Sequence, residues 1–89
     1  MKISKEKKEK IFEHILAILF NISPKMIFTS YIAKELARDE EFTKKLLNDL
    51  KKKGIIIEVK KNSQGKEYLK RSRWKLSEEV YNLYKHKQN

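Results

Sequence analysis

Cysteine is absent from the 89 residues, which excludes a disulfide framework and any thiolate-held metal. Histidine is limited to His14 and His86, too few and too far apart for a metal centre, so no metal is expected. Glycine occurs twice and proline once, which leaves no material for a phosphate-cradling glycine loop. The longest apolar stretch, residues 15–20, is far short of the roughly 20 residues that span a bilayer, and no cleavable signal pattern follows the lysine-rich start. Ser, His and Asp occur without a catalytic spacing, and so small a core leaves no room for a substrate pocket. The expectation is a cytoplasmic protein that is not an enzyme, has no cofactor and no membrane contact, and takes no evident small-molecule substrate. His14 reads as a helix-surface residue.

Positive charge is what the chain has in excess. Lys and Arg number 22 against 12 Asp and Glu, a net charge of +10. A field of one sign on so small a body seeks a polyanion. The excess is uneven: residues 54–76 carry +5, seven Lys and Arg against Glu58 and Glu67, whereas residues 77–89 are neutral. A chain of this length buries only about 60–70% of its unfolded surface, enough for one core. Residues 1–89 are therefore expected to form a single domain, for which pairing with a second copy would be helpful.

Periodicity gives the elements. Ser4 is a cap for a first helix over about 4–22, with Ile11, Phe12, Ile15, Leu16, Ile18, Leu19 and Ile22 on a broad apolar face. That face is wider than one small partner helix needs, so this helix is either central to the core or shared with another subunit. Met26-Ile27-Phe28 suits only a short strand. Thr29 is placed as the N-cap of a second helix over 30–37, with Ile32, Ala33 and Leu36 inward. A third helix, about 40–53, ends at Gly54, where a left-handed residue closes a helix. Residues 55–59 are β-branched and residues 68–76 return as a second strand after Asn62-Ser63-Gln64-Gly65, giving a hairpin over about 55–76. With Gly65-Lys66 as the two-residue turn, Ile57 faces Trp74, Ile55 faces Leu76, Glu58 faces Arg73, and Lys60 and Lys61 face Arg71 and Lys70. Ser77 caps a last helix over about 77–86, with Glu78 and Glu79 in its first turn.

This order resembles a winged helix-turn-helix domain, an α+β fold that is mainly α: a three-helix core, a β-hairpin wing and a C-terminal helix. Thr29-Ser30-Tyr31-Ile32-Ala33-Lys34-Glu35-Leu36-Ala37 matches a capped helix with an Ile-Ala core pair. Phe42-Thr43-Lys44-Lys45-Leu46-Leu47-Asn48-Asp49-Leu50 with Lys53-Gly54-Ile55-Ile56 matches a recognition helix running into a strand, and Trp74-Lys75-Leu76-Ser77 matches the close of the wing. The pieces span residues 11–84, and their order and spacing carry the likeness more than any one of them. Size, basicity and Lys/Ile richness look like small archaeal, archaeal-plasmid or viral DNA-binding proteins, including regulators related to PadR. The resemblance implies binding of double-stranded DNA, the third helix in the major groove, and a homodimer built from the first and last helices. A nucleoid-associated transcription regulator is the expected role, with a plasmid-partition or architectural protein that spreads along DNA, a protein-binding winged-helix module, and an RNA-binding protein as rivals.

The residues of the third helix divide independently of the resemblance. Phe42, Thr43, Leu46, Leu47 and Leu50 fall on one side, and Glu41, Lys44, Lys45, Asn48, Lys51 and Lys52 on the other. A lysine run on one helix is ordinarily a solvated face, but here it is coupled to a second cationic element. Lys44 is suited to guanine or phosphate, and Asn48 to a two-fold pairing with adenine. Thr43, Lys45, Lys51 and Lys52 are expected to touch phosphates or core, while Glu40 and Glu41 repel phosphates unless they select cytosine. Thr29, Ser30, Tyr31 and Lys34 are backbone-contact candidates on the second helix. On the wing, Lys60, Lys61, Lys66, Lys70, Arg71 and Arg73 crowd into 14 residues, which fits phosphates or a minor groove or, more simply, an edge strand protected by lysines. Trp74 is assigned to the core and not to base stacking. Ile11, Phe12, Ile15, Leu19, Val80, Tyr81 and Tyr84 are the dimer candidates.

Overall fold

A computed structural model describes residues 4–60 and 72–87. The elements run α1 (Lys5–Ile22), β1 (Ile27–Phe28), α2 (Thr29–Leu36), α3 (Glu40–Lys52), β2 (Ile56–Val59), β3 (Arg73–Leu76) and α4 (Glu78–Lys87). Side chains close three of the helix starts, each occupying an N–H that has no partner within the helix. Ser4 Oγ accepts from the Lys7 N–H at 3.2 Å, Asp39 Oδ1 from Phe42 at 2.7 Å, and Ser77 Oγ from Val80 at 3.3 Å. At the far end of α3, Gly54 takes φ +74°, and the Ile55 N–H returns to the Leu50 carbonyl at 3.0 Å. This is the left-handed closure that the glycine predicts. α2 closes the same way without a glycine: Ala37 sits at φ 56°, ψ 42°, its N–H on the carbonyls of Ala33 and Lys34.

The three strands form an antiparallel sheet in the order β1-β3-β2. The wing register differs by one residue from the expected pairing: Ile56 lies opposite Leu76, Ile57 opposite Lys75, Glu58 opposite Trp74 and Val59 opposite Arg73. The expected pairs, Ile57 with Trp74, Ile55 with Leu76 and Glu58 with Arg73, came from assuming a two-residue turn. Burial decides otherwise, because side chains alternate across a strand and a slip of one turns each to the other face. In the observed register Ile56, Trp74 and Leu76 all enter the core while Ile57 and Lys75 face outward. The turn itself, and the pairs proposed for Lys61, Lys70 and Arg71, lie outside the described residues.

One apolar cluster joins α1 (Ile15, Leu19), α2 (Ile32), α3 (Leu46, Leu47, Leu50), β2 (Ile56) and β3 (Trp74, Leu76). Each such side chain removed from water contributes about 1.5–3 kcal/mol before the entropy of ordering it. α1 is thus central to the core, which corrects two of the proposed dimer residues: Ile15 and Leu19 are wholly enclosed within their own subunit. Ile11, Phe12, Val80 and Tyr81 are half-buried against the same cluster. α4 buries no residue fully and is held by aromatic packing, with the Phe20 ring 5.4 Å from Tyr81 and 5.5 Å from Tyr84.

Thr29 does not cap α2. Phe28 occupies the cap position without a side-chain bond, and Thr29 is the first helical residue, buried, its Oγ1 accepting from the Trp74 indole N–H at 2.8 Å. A fully enclosed indole needs an acceptor for its N–H, and the hydroxyl at the start of α2 supplies it. Wing base and α2 are joined by that bond.

Candidate nucleic-acid interface

α3 presents two unlike sides. Thr43, Leu46, Leu47 and Leu50 are buried, while Glu41, Lys44, Lys45, Lys51 and Lys52 are exposed and Asn48 is half-buried. The helix is pinned by its apolar side, so the direction of its outer side chains is set by the core and not by loops. Thr43 is removed from the contact set: it is 0% exposed, and its hydroxyl donates to the Asp39 carbonyl at 2.9 Å. Thr29 is removed for the same reason, its hydroxyl being committed to Trp74. Ser30, Tyr31 and Lys34 are exposed on α2, Tyr31 at 47%.

The starts of α2 and α3 meet the base of the wing in a cleft of about 240 Å³ lined by Phe28, Thr29, Ser30, Glu40, Glu41, Lys44 and Ser72. Lys44 is the cation among those residues, opposed by two carboxylates at the N-terminal turn of α3. The carboxylates favour the helix dipole and weaken any phosphate contact made here.

The far end of α3 meets the wing through Glu58. The Lys51 ammonium donates to its Oε1 at 2.7 Å, the Ser72 hydroxyl donates to its Oε2, and the Lys60 ammonium lies 4.0 Å from Oε2. The Glu58 side chain is 8% exposed, while both lysines are about half exposed. Burial alone pushes the Glu58 carboxyl up, but the hydrogen bonds from Lys51 and Ser72 and the charges of Lys51 and Lys60 outweigh it and hold the group below its ordinary range. This carboxylate escaped the sequence reading because the slipped register set it opposite Arg73. Lys51 is correspondingly directed toward β2.

Of the proposed wing residues, Lys60 is exposed just beyond β2 and Arg73 is half-buried on β3, opposite Val59 and Phe28. Lys61, Lys66, Lys70 and Arg71 lie outside the described residues. Lys75, exposed between Trp74 and Leu76, is a wing cation that the sequence reading passed over, although strict alternation with two core residues is its signature. At this same C-terminal end of α3, Lys8 pairs with Asp49 at 3.2 Å, and the ammoniums of Lys8 and Lys53 lie 5.6 and 5.4 Å from the Phe12 ring centre. Phe12 is therefore partly covered from within the subunit. Among the described residues no group of three or more acidic or histidine side chains is placed to hold a metal ion. No helix among them is long and apolar enough to cross a membrane.

No protein-family model and no curated protein matches the chain. Solved structures do. A DNA complex of MepR from Staphylococcus aureus superimposes with a TM-score of 0.70 at 21% identity, covering 93% of this chain and 68% of that one. A mutant MepR from a multidrug-resistant S. aureus clinical isolate gives 0.66 at 22% identity, with 92% and 63% covered. A single-site mutant of ZitR from Lactococcus lactis gives 0.64 at 18% identity, with 99% and 52% covered. The chain thus spans between about half and two thirds of the length of these proteins. Four helices with a three-stranded antiparallel sheet, superimposing on these structures, make the fold a mainly helical winged helix-turn-helix.

Proposed function

We propose that this chain binds double-stranded DNA, with the outer side of α3 in the major groove and the basic hairpin along the phosphates, as a homodimeric transcription regulator. The observation that carries the reading is the division of α3: a buried leucine side fixes the helix, and Lys44, Lys45, Asn48 and Lys52 stand together on the opposite, open side. Asn48 supplies base discrimination, Lys44 a guanine or phosphate contact, and Lys45 and Lys52 phosphate contacts, with Glu41 selecting cytosine or limiting affinity. Ser30, Tyr31 and Lys34 fit backbone contacts from α2. Lys60, Lys61, Lys66, Lys70, Arg71 and Arg73 are assigned to the backbone contacts of the wing. The likeness to MepR, solved both on DNA and as a regulator of the S. aureus efflux pump MepA, supports the reading, as does the net charge of +10. A kinship with PadR-related archaeal regulators, and a place at the nucleoid in the cytoplasm, are narrower proposals resting on composition and motif order.

For the dimer, α4 is the favoured contact: Leu83 is 63% exposed beside half-buried Tyr81 and Tyr84. Val80, Ile11 and Phe12 extend this surface only in part. Sedimentation of the free protein tests it, a monomer at all concentrations counting against it.

Fluorescence anisotropy with labelled duplexes at increasing salt tests the binding. Neutralising several phosphates makes log K fall linearly with log salt, by about 0.9 per phosphate on duplex DNA. A slope of several is expected, with duplex RNA competing poorly. No binding at about 50 mM salt, where phosphate contacts are strongest, would eliminate the proposal. The high charge with few base-reading side chains also favours a second role, an architectural or plasmid-partition protein. Footprinting separates the two: a regulator protects one compact site, whereas a coating protein extends its protection as concentration rises.

A further inference from the structure

We infer that Glu58 is a built-in counter-anion for the DNA surface, holding Lys51 and Lys60 in place of phosphates and thereby setting how tightly the protein grips any duplex. The inference rests on the DNA-binding reading above and deepens it. Lys51 belongs to the recognition helix and Lys60 to the wing, two elements assigned to the same polyanion. Their ammoniums converge on one carboxylate, at 2.7 Å and 4.0 Å. The carboxylate is almost enclosed while each lysine keeps about half of its side chain in solvent, so the anion stays where it is and the cations have room to leave.

Glu58 itself is anchored. It sits in the middle of β2 opposite fully buried Trp74, and the Ser72 hydroxyl donates to its second oxygen. The hydrogen bonds and charges around it keep it ionised at neutral pH. A phosphate approaching the junction of α3 and the wing therefore competes with a fixed negative charge already paired with the Lys51 and Lys60 ammoniums, at 2.7 and 4.0 Å. Each lysine that stays on Glu58 is one fewer phosphate neutralised, and the penalty is the same for every sequence.

Glu58→Gln tests this, because the amide keeps the size and an acceptor for Ser72 while removing the charge. The expected result is a slope of log K against log salt steeper by about 0.9 for each lysine released, so by about 1–2 in all. With binding at 1 M salt unchanged, that is a gain of roughly five-fold per lysine at 0.15 M, equal on random and selected duplexes. Lys51→Gln should then lower the slope by about 0.9 in the Glu58→Gln background and by much less in the wild type. Thermal unfolding of each variant accounts for any loss of fold, and the non-additivity of the pair is a readout that a purely structural clamp would not produce. If wild type binds duplex and Glu58→Gln binds equally or more weakly with an unchanged slope, the counter-anion is wrong and the DNA reading stands. Binding by neither protein overturns both.

Discussion

Replacing Thr29 by valine removes one acceptor from the core at almost no change in shape, and the consequence follows from where Trp74 lies. The indole is 0% exposed and its N–H donates to Thr29 Oγ1 at 2.8 Å, so losing that oxygen leaves a buried donor without its protein acceptor. A buried donor left without an acceptor costs about 1–3 kcal/mol. At about 4–8 °C per kcal/mol for a domain of this size, unfolding followed by circular dichroism should fall by roughly 5–20 °C. Thr29→Ser keeps the acceptor and loses one methyl group, about 0.8 kcal/mol, and should be the milder change. Thr29→Asp separates this account from helix capping. Aspartate is among the best caps, so a capping role predicts no loss or a gain, whereas a carboxylate in this enclosed site carries a desolvation penalty and should destabilise more than valine does. Valine as stable as threonine, or aspartate more stable than either, would mean that the Thr29 hydroxyl is not the acceptor on which the indole depends.

The two left-handed positions among the described residues give opposite expectations. Ala37→Gly relieves an L-residue at φ 56°, a conformation costing about 1–2 kcal/mol, partly offset by the greater freedom of glycine in the unfolded chain, and should raise stability by up to about 1 kcal/mol. Gly54→Ala at φ +74°, where an added Cβ meets nothing within 4 Å, should lower it by about 1 kcal/mol through the backbone alone; urea titration reads both. Glu58 has its folded pKa below the ordinary value, so its contribution is present above the unfolded pKa of about 4.3 and is lost as pH falls through the lower folded value. Urea unfolding at stepped pH should show Glu58→Gln flattening the acid limb below about pH 5; an acid limb identical to that of wild type would count against the network.

Where one residue decides a feature locally, the sequence was readable. Ser4, Ser77 and Gly54 close their helices as their types predict, the sidedness of α3 follows from its leucine spacing, and Trp74 lies in the core as expected. Illegibility began where distant residues decide. Ile55, Ile56 and Ile57 are chemically identical, so hydrophobic pattern cannot say which of them faces inward, and an assumed turn length moved the wing by one residue. A threonine before an amphipathic helix suits a cap or a core acceptor equally well, and the indole that selects between them is 45 positions away. The breadth of the apolar face on α1 likewise permits a subunit contact, but Ile15 and Leu19 lie buried in one cluster with residues of α2, α3, β2 and β3. Glu58 combined both failures, since its role depends on the register and on Lys51 seven residues earlier.

If α3 reads bases while the wing grips backbone, Asn48→Ala and Arg71→Ala must differ in kind. Binding of each variant should be compared on a selected site and on random duplex across a range of salt. Asn48→Ala should lose about 1–3 kcal/mol of discrimination between the two with random binding little changed. Arg71→Ala should weaken both duplexes alike and flatten the salt slope by about 0.9. Equal losses from both variants on every sequence, with discrimination intact, would contradict this division between α3 and the wing.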